Sequence, residues 1–153
     1  MTDDVERLRL VADYQFGEGA GNGLFPPDQA LSLTRTSSGR PRQIKSDEER
    51  IATYGADGRF RLGMAGGRRL QHTLAEPAYR VVVGEESEPY VRSGRNAFAK
   101  FVTSAAAEIR PRDEVLVEHH DGRLLAVGRA ELSGQGMLDF ETGMAVKVRD
   151  SLE

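Results

Sequence analysis

The chain has no cysteine, so its most evident candidates for binding a metal ion are its three histidines, His72, His119 and His120. Adjacent residues on a strand or turn point to opposite sides, so we do not expect His119 and His120 to share one ion. With no cysteine and no His-x-x-x-His spacing, a zinc site would need carboxylates distant in the sequence. The pattern therefore predicts no metal site. His119 and His120 are interpreted as an ordinary surface pair at the end of a hairpin.

Residues for covalent or acid–base catalysis are not arranged in a recognisable pattern. No serine lies in the Gly-x-Ser-x-Gly context of a nucleophile. The acidic run Glu85, Glu86 and Glu88 is interpreted as solvated surface. The glycine-rich segment 17–28 lacks the Gly-Lys-Ser/Thr of a phosphate loop and follows a predicted helix instead of a strand. The sequence therefore predicts no catalytic residue and no cofactor, and a flexible loop at 17–28.

The segment 91–102 holds the best candidate for binding. A basic turn from Arg92 to Asn96 runs into a predicted strand. Gly94 suits a sharp turn with N–H groups pointing outward, and N–H groups flanked by Arg92 and Arg95 favour an anion such as phosphate. Lys100 extends the positive surface. On these residues alone, a solvated turn with scattered charge remains an open alternative.

Composition limits the class of protein. The 153 residues are 39% apolar and 29% charged, which is typical of one globular domain or two very small ones. The absence of cysteine and of an apolar amino-terminal run predicts an intracellular, cytoplasmic protein, and no stretch reaches the roughly 20 apolar residues of a membrane span. The net charge is −3, yet residues 92–112 hold five basic residues against one acid, Glu108.

Hydrophobic periodicity predicts the elements that position this segment. In residues 1–77 it predicts a helix at 3–14, a hairpin at 29–45, a strand pair at 50–62 and a helix at 64–74. Glu76-Pro77 breaks the chain, so we place a domain boundary there. In residues 78–153, short strands dominate: 79–83, 113–119, 124–132 and 145–149, with a helical turn at 85–91 and a Ser133-capped helix to Phe140. The fold class is α+β, with a small barrel or sandwich in the second part.

Five blocks of the second part resemble a PUA domain, the module named for pseudouridine synthase and archaeosine transglycosylase. They keep the order of the blocks in that family: Tyr79–Val83, Gly94–Val102, Arg112–Val117, Leu125–Ala130 and Gly143–Arg149. The first part, through Leu10–Gly17, Ser38–Arg42 and Ile51–Gly58, resembles the region preceding the PUA module in archaeosine tRNA-guanine transglycosylase, an archaeal enzyme. The catalytic barrel and the cysteine-containing zinc site of that enzyme have no counterpart here.

The resemblance implies a PUA-like pseudobarrel of about six strands with short helices, preceded by a small α+β subdomain. It implies RNA binding through the glycine turn and the strand that follows, with the last strand bordering the surface. The side chain of Phe98 is expected to pack into the core. The positions carried over to this sequence are Arg92, Gly94, Arg95, Asn96, Ala97, Phe98, Lys100, Lys147 and Arg149.

The resulting hypothesis is a non-catalytic protein that binds RNA, most naturally tRNA, in RNA modification. Two alternatives stay open. The chain could be an accessory subunit that docks to a separate transglycosylase catalytic chain, or a module that senses a ligand other than RNA.

Overall fold

A computed structural model of the chain describes residues 2–153, except the side chains of Thr2 and Asp3. The chain forms two compact units, the first ending at Leu74 and the second comprising Ala75–Glu153. In the described part of the chain, no helix is both long and apolar enough to cross a bilayer.

The first unit combines three helices with a four-stranded antiparallel sheet in the order β1-β2-β3-β4. Phe25 and Phe60, whose ring centroids lie 5.5 Å apart, are fully buried in its core with Ile44, Ile51 and Leu70. The predicted helices at both ends and both hairpins are confirmed. The helices are α1 (Thr2–Phe16), α2 (Ala20–Leu24) and α3 (Met64–Thr73), and the strands are β1 (Ser32–Arg35), β2 (Pro41–Ser46), β3 (Glu49–Tyr54) and β4 (Phe60–Leu62).

The prediction of an irregular loop at 17–28 is wrong in its middle, where α2 forms. A Cβ on Gly21 would lie 2.2 Å from the carbonyl oxygen of Arg9, so only glycine lets α2 approach α1 this closely. The Asp13 carboxylate also accepts a hydrogen bond from the Gly21 N–H, at 2.7 Å. Tertiary packing therefore overrides the poor helix propensity of glycine.

The second unit is a six-stranded, barrel-like sheet in the order β6-β10-β9-β8-β5-β7. Val81, Val117, Leu125 and Val146 belong to its buried core. The strands are β5 (Arg80–Val83), β6 (Ala97–Phe98), β7 (Val102–Ala105), β8 (Glu114–His119), β9 (Leu124–Ala130) and β10 (Met144–Ser151). The helices are α4 (Glu88–Arg92) and α5 (Gly134–Asp139), and Ala99–Phe101 form a 3₁₀ turn.

Pairing in this sheet is antiparallel except between β5 and β8, which run parallel with Val83 opposite His119. The short helix α4 follows β5 and overlaps the predicted helical turn at 85–91. Ser133 caps α5 by accepting a hydrogen bond from the Gly136 N–H, as predicted. The predicted continuous strand from Ala97 to Val102 is wrong, because the 3₁₀ turn separates β6 from β7.

Candidate functional site

The glycine turn ends helix α4. Gly94 has a φ of 103°, its N–H donates to the carbonyl of Val91, and the Arg95 N–H donates to that of Tyr90. This pair of bonds is the Schellman arrangement, in which a left-handed glycine satisfies the last carbonyls of a helix. The N–H groups of Gly94 and Arg95 therefore point back into the helix end, and the predicted outward-facing anion site on them is wrong.

Arg92 and Asn96 hold the local structure together. The Arg92 guanidinium lies 2.9 Å from the Glu88 carboxylate and 3.0 Å from that of Glu153. The side-chain oxygen of Asn96 accepts a hydrogen bond from the Val148 N–H at 2.9 Å, beside an irregularity in the pairing of β10 with β9. Arg92 thereby joins the end of α4 to the residue Glu153 after β10, and Asn96 joins the segment after α4 to β10 itself.

Strand β6 places Ala97 and Phe98 on opposite sides of the sheet. Ala97 is fully buried opposite Val146, whereas Phe98, opposite Met144, is 44% exposed. The prediction that Phe98 packs into the core is wrong, because the core side of this two-residue strand belongs to its neighbour. Phe98 instead borders a surface cavity of about 360 Å³, lined by Phe98, Lys100, Phe101, Glu141, Thr142 and Gly143.

Two exposed cations of this segment lie over aromatic rings. The Lys100 ammonium is 5.0 Å from the ring centre of Phe101, and the Arg95 guanidinium is 5.9 Å from that of Tyr90. Such cation–π contacts orient a charge without neutralising it. Sequence reasoning did not assign a role to Phe101, Tyr90 or Glu141, although the Phe98-x-x-Phe101 spacing on an exposed turn was a usable signal.

Strand β10 presents Lys147 and Arg149 on its exposed side and buries Val146, with Val148 half-buried, as predicted. The two cations differ in their surroundings. The Arg149 guanidinium donates to the Glu114 carboxylate at 2.6 Å, and Glu114 is nearly buried. Next to them, Arg129 pairs with Glu131 at 2.9 Å, and this contact raises the pKa of Arg129 above its ordinary value.

The candidate cations thus fall into two groups. Arg92 and Arg149 are each within 3.0 Å of a carboxylate. Arg95, Lys100 and Lys147 are exposed and have no ion-pair partner among residues 2–153. An incoming anion meets the second group without having to displace a carboxylate.

The two adjacent histidines do not point to opposite sides. Their ring centroids lie 4.0 Å apart, and the Nε2 atoms of His119 and His120 lie 2.9 and 3.7 Å from the same carboxylate oxygen of Glu85. His119 is 3% exposed, so the predicted surface pair is wrong for this residue. The alternation argument failed because His120 already belongs to the turn after β8. These three side chains offer the ligand atoms of a metal centre within 4.8 Å of one another.

Comparison with known protein families divides the chain into two matched segments. Residues 6–77 match the patch-forming domain C2 of tRNA-guanine transglycosylase, and residues 79–152 match the PUA domain. Curated relatives support both matches. The chain is 48% identical over 147 residues to a tRNA-guanine(15) transglycosylase of Thermococcus kodakarensis, covering 95% of this chain and 25% of the relative. It is 46% identical to the tRNA-guanine(15) transglycosylase of Methanothermobacter thermautotrophicus, and the match covers 96% of this chain and 22% of that relative.

Solved structures show the same fold at lower identity. A hypothetical protein from Pyrococcus horikoshii superposes with a TM-score of 0.77 at 23% identity, covering 99% of this chain and 91% of that one. A conserved PUA domain protein from Thermoplasma acidophilum gives a TM-score of 0.64 at 19% identity, with coverages of 94% and 89%. The chain spans about a quarter of the length of the curated relatives, and the matched part is their carboxy-terminal region. Residues 79–152 therefore match the PUA domain family, and the chain as a whole resembles the carboxy-terminal region, C2 domain followed by PUA domain, of archaeal tRNA-guanine transglycosylases.

Proposed function

We propose that this chain binds structured RNA, with tRNA as the natural candidate, through the edge of the second unit formed by β6, the 3₁₀ turn and β10. This edge positions the RNA, and residues outside it supply the chemistry of modification. The observation that carries the proposal is the combination of an exposed aromatic cavity with cations that have no carboxylate partner among the described side chains. Phosphates attract such cations, and unstacked bases attract exposed aromatic rings.

Each group in this surface has a separate task. Lys100 and Lys147 contact phosphates as point charges, and Arg95 contacts a phosphate or stacks on a base. The rings of Phe98 and Phe101 accept an unpaired base in the cavity. The Glu141 carboxylate at the cavity rim accepts a hydrogen bond from an exocyclic amino group. Arg92, Asn96, Gly94 and Arg149 act indirectly, by fixing the backbone that carries these groups.

The test is a titration of a fluorescent tRNA with the full chain at about 100 mM salt, followed by fluorescence anisotropy. The variant carries Arg95→Ala, Lys100→Ala and Lys147→Ala together. A control removes the same number of positive charges, here from two arginines and one lysine of the first unit: Arg7→Ala, Arg42→Ala and Lys45→Ala. We expect a loss of affinity on the order of tenfold or more in the first variant and a far smaller change in the control.

Equal losses in both variants would mean that overall charge, not this surface, drives binding. Absence of tRNA binding by the unmodified chain at low salt would exclude the proposed function. The same chain incubated with tRNA and labelled guanine is expected to show no base exchange.

A second candidate function rests on how little of its relatives the chain covers. The matched region is only 25% and 22% of the length of two of them. On this view the chain docks to a separate catalytic chain of the transglycosylase type and presents tRNA to it. Co-purification of a tagged chain at its natural abundance decides between the two. A stable complex with a catalytic chain favours the docking function, and a free chain that still binds tRNA favours the independent module.

A further inference from the structure

The carboxyl ends of the parallel strands β5 and β8 bring three metal-binding side chains together. Val83 lies opposite His119 in this pair. Glu85 follows β5 by two residues, His119 ends β8, and His120 begins the next turn. Parallel strands that end in register place the residues after them at one edge of the sheet. The cluster therefore follows from the sheet topology and not from closeness of Glu85 to the histidines in sequence.

The distances within the cluster match those between ligands of a small divalent ion. Glu85 Oε1 lies 2.9 Å from His119 Nε2 and 3.7 Å from His120 Nε2. A tetrahedral ion with bonds of about 2.0–2.1 Å separates its ligand atoms by about 3.3 Å. The two observed distances lie on either side of that value. The side chain of Glu85 is 74% exposed, so its carboxylate can adjust without disturbing the core.

The Nε2 atom of His119 is a buried polar atom without a hydrogen bond among the described residues. The side chain of His119 is only 4% exposed. Glu85 is near enough to accept a hydrogen bond from this nitrogen but lacks the geometry for one. A buried nitrogen without a partner costs stability, and an ion bound to its lone pair would remove that cost.

The other nitrogen of His119 is held by Asp121. Nδ1 lies 3.1 Å from the Asp121 carboxylate and 3.3 Å from the Asp121 N–H. The second contact is a hydrogen bond in which the Asp121 N–H donates to Nδ1, and the first is an ion-pair distance, so the two favour opposite tautomers. A bound metal ion would select the tautomer in which Nδ1–H donates to the charged carboxylate. An Nδ1–H that donates to Asp121 leaves the lone pair on Nε2, as in the carboxylate–histidine–metal arrangement of known sites.

We propose that Glu85, His119 and His120 bind one divalent transition-metal ion of the zinc class, with Asp121 as the residue that orients His119. Two imidazoles and one carboxylate select zinc, nickel or cobalt over magnesium and calcium, which take oxygen ligands. Three protein ligands leave a fourth position, and a surface cavity of about 450 Å³ borders both histidines. In the metal-bound protein a water molecule would complete the coordination.

The test is calorimetric titration of the untagged full chain with zinc chloride, alongside magnesium chloride. We expect one zinc ion per chain and no comparable binding of magnesium. His120→Gln and Glu85→Gln each lower the zinc affinity at least about tenfold, and both positions are exposed enough to keep the fold. Asp121→Asn lowers it by about 10- to 100-fold through His119. His72→Gln, on the exposed side of α3, is the matched control and leaves it unchanged.

Cobalt gives a second readout that a structural role of these residues would not produce. Co²⁺ added to the unmodified chain is expected to show the strong visible absorption of a four-coordinate site, and His120→Gln is expected to lose it. Absence of zinc binding by the unmodified chain would overturn the proposal. Equal zinc affinity in His120→Gln and the unmodified chain would also overturn it, as would loss of the site in His72→Gln.

Discussion

Phe98 is the residue whose orientation contributes most to the proposed RNA surface. With 44% of it exposed, its ring forms one wall of the cavity that also contains Phe101 and Glu141. Stacking of a base on an aromatic side chain contributes about 1–3 kcal/mol. We therefore expect Phe98→Ala to weaken tRNA binding by roughly 5- to 150-fold, measured by anisotropy.

Two controls separate stacking from general effects. Phe98→Tyr keeps an aromatic face and is expected to retain most of the affinity. Tyr14→Ala removes another aromatic ring, 95% exposed on α1, and is expected to leave binding unchanged. An unchanged affinity in Phe98→Ala would exclude the cavity as the base-binding position, even if the cations still contribute.

At the scale of single residues, the sequence predicts which residue types form the proposed RNA surface but not the direction in which their side chains face. The basic residues and the glycine of segment 91–102 were identified from their types and spacing, and Phe98 was added by the resemblance. Ala97 and Phe98 were not separated correctly, because alternation within a strand fixes relative and not absolute facing. Which of the two faces the core depends on the pairing of Ala97 with Val146, a contact 49 residues away along the chain.

The parallel pair β5 and β8 contains a buried ion pair that joins the two strands. The Arg80 guanidinium lies 3.2 Å from the Glu118 carboxylate, and both side chains are 4% exposed. Removing one partner of such a pair leaves a buried charge and typically costs about 3–5 kcal/mol. We expect Glu118→Ala to lower the free energy of unfolding by this amount, measured by urea denaturation.

A double replacement tests the reason for that loss. Arg80→Met with Glu118→Leu removes both charges and fills the space with apolar atoms, so we expect it to be more stable than Glu118→Ala. If both variants lose the same stability, the cost arises from packing and not from the buried charge of Arg80.

Helix α2 depends on the close approach of its glycine to α1. Gly21→Ala places a Cβ 2.2 Å from the Arg9 carbonyl oxygen, and the backbone there cannot yield without separating the helices. We expect a loss of about 1–3 kcal/mol in the free energy of unfolding. Asn22→Ala, the neighbouring exposed position of α2, is expected to change stability by less than about 0.5 kcal/mol. Similar losses in both variants would contradict the close-packing argument.

The local sequence pattern was sufficient to predict most helices and strands. It failed where contacts between distant parts of the chain determine the local structure. Hairpins with glycine turns, such as β8–β9, were predicted because each turn and its alternating flanks lie within a few residues of one another. Helix α2 and the 3₁₀ turn at Ala99–Phe101 were missed, because neighbouring helices and strands impose them. The metal cluster was missed for the same reason: Glu85 and His119 are adjacent only through the parallel pairing of β5 with β8.

For the molecule as a whole, charge limits how it can bind nucleic acid. The net charge is −3, and many of its arginines lie close to carboxylates, as Arg92 and Arg149 do. A protein of this kind cannot coat RNA through a general positive field. Its affinity must come from a few phosphate contacts together with base contacts that do not depend on salt.

Because few cations contact phosphates, we predict that the affinity for tRNA depends only weakly on salt concentration. On the proposed surface, Arg95, Lys100 and Lys147 have no carboxylate partner within the part of the chain that the structure describes. Each releases less than one counterion from the RNA on binding. The logarithm of the association constant should therefore fall with the logarithm of salt concentration with a slope of about −2 to −3. Lys147→Ala should reduce the magnitude of that slope by about one, whereas Phe98→Ala should weaken binding without changing it. A slope of −6 or steeper in the unmodified chain would require a larger basic surface than these three cations and would contradict the site proposed here.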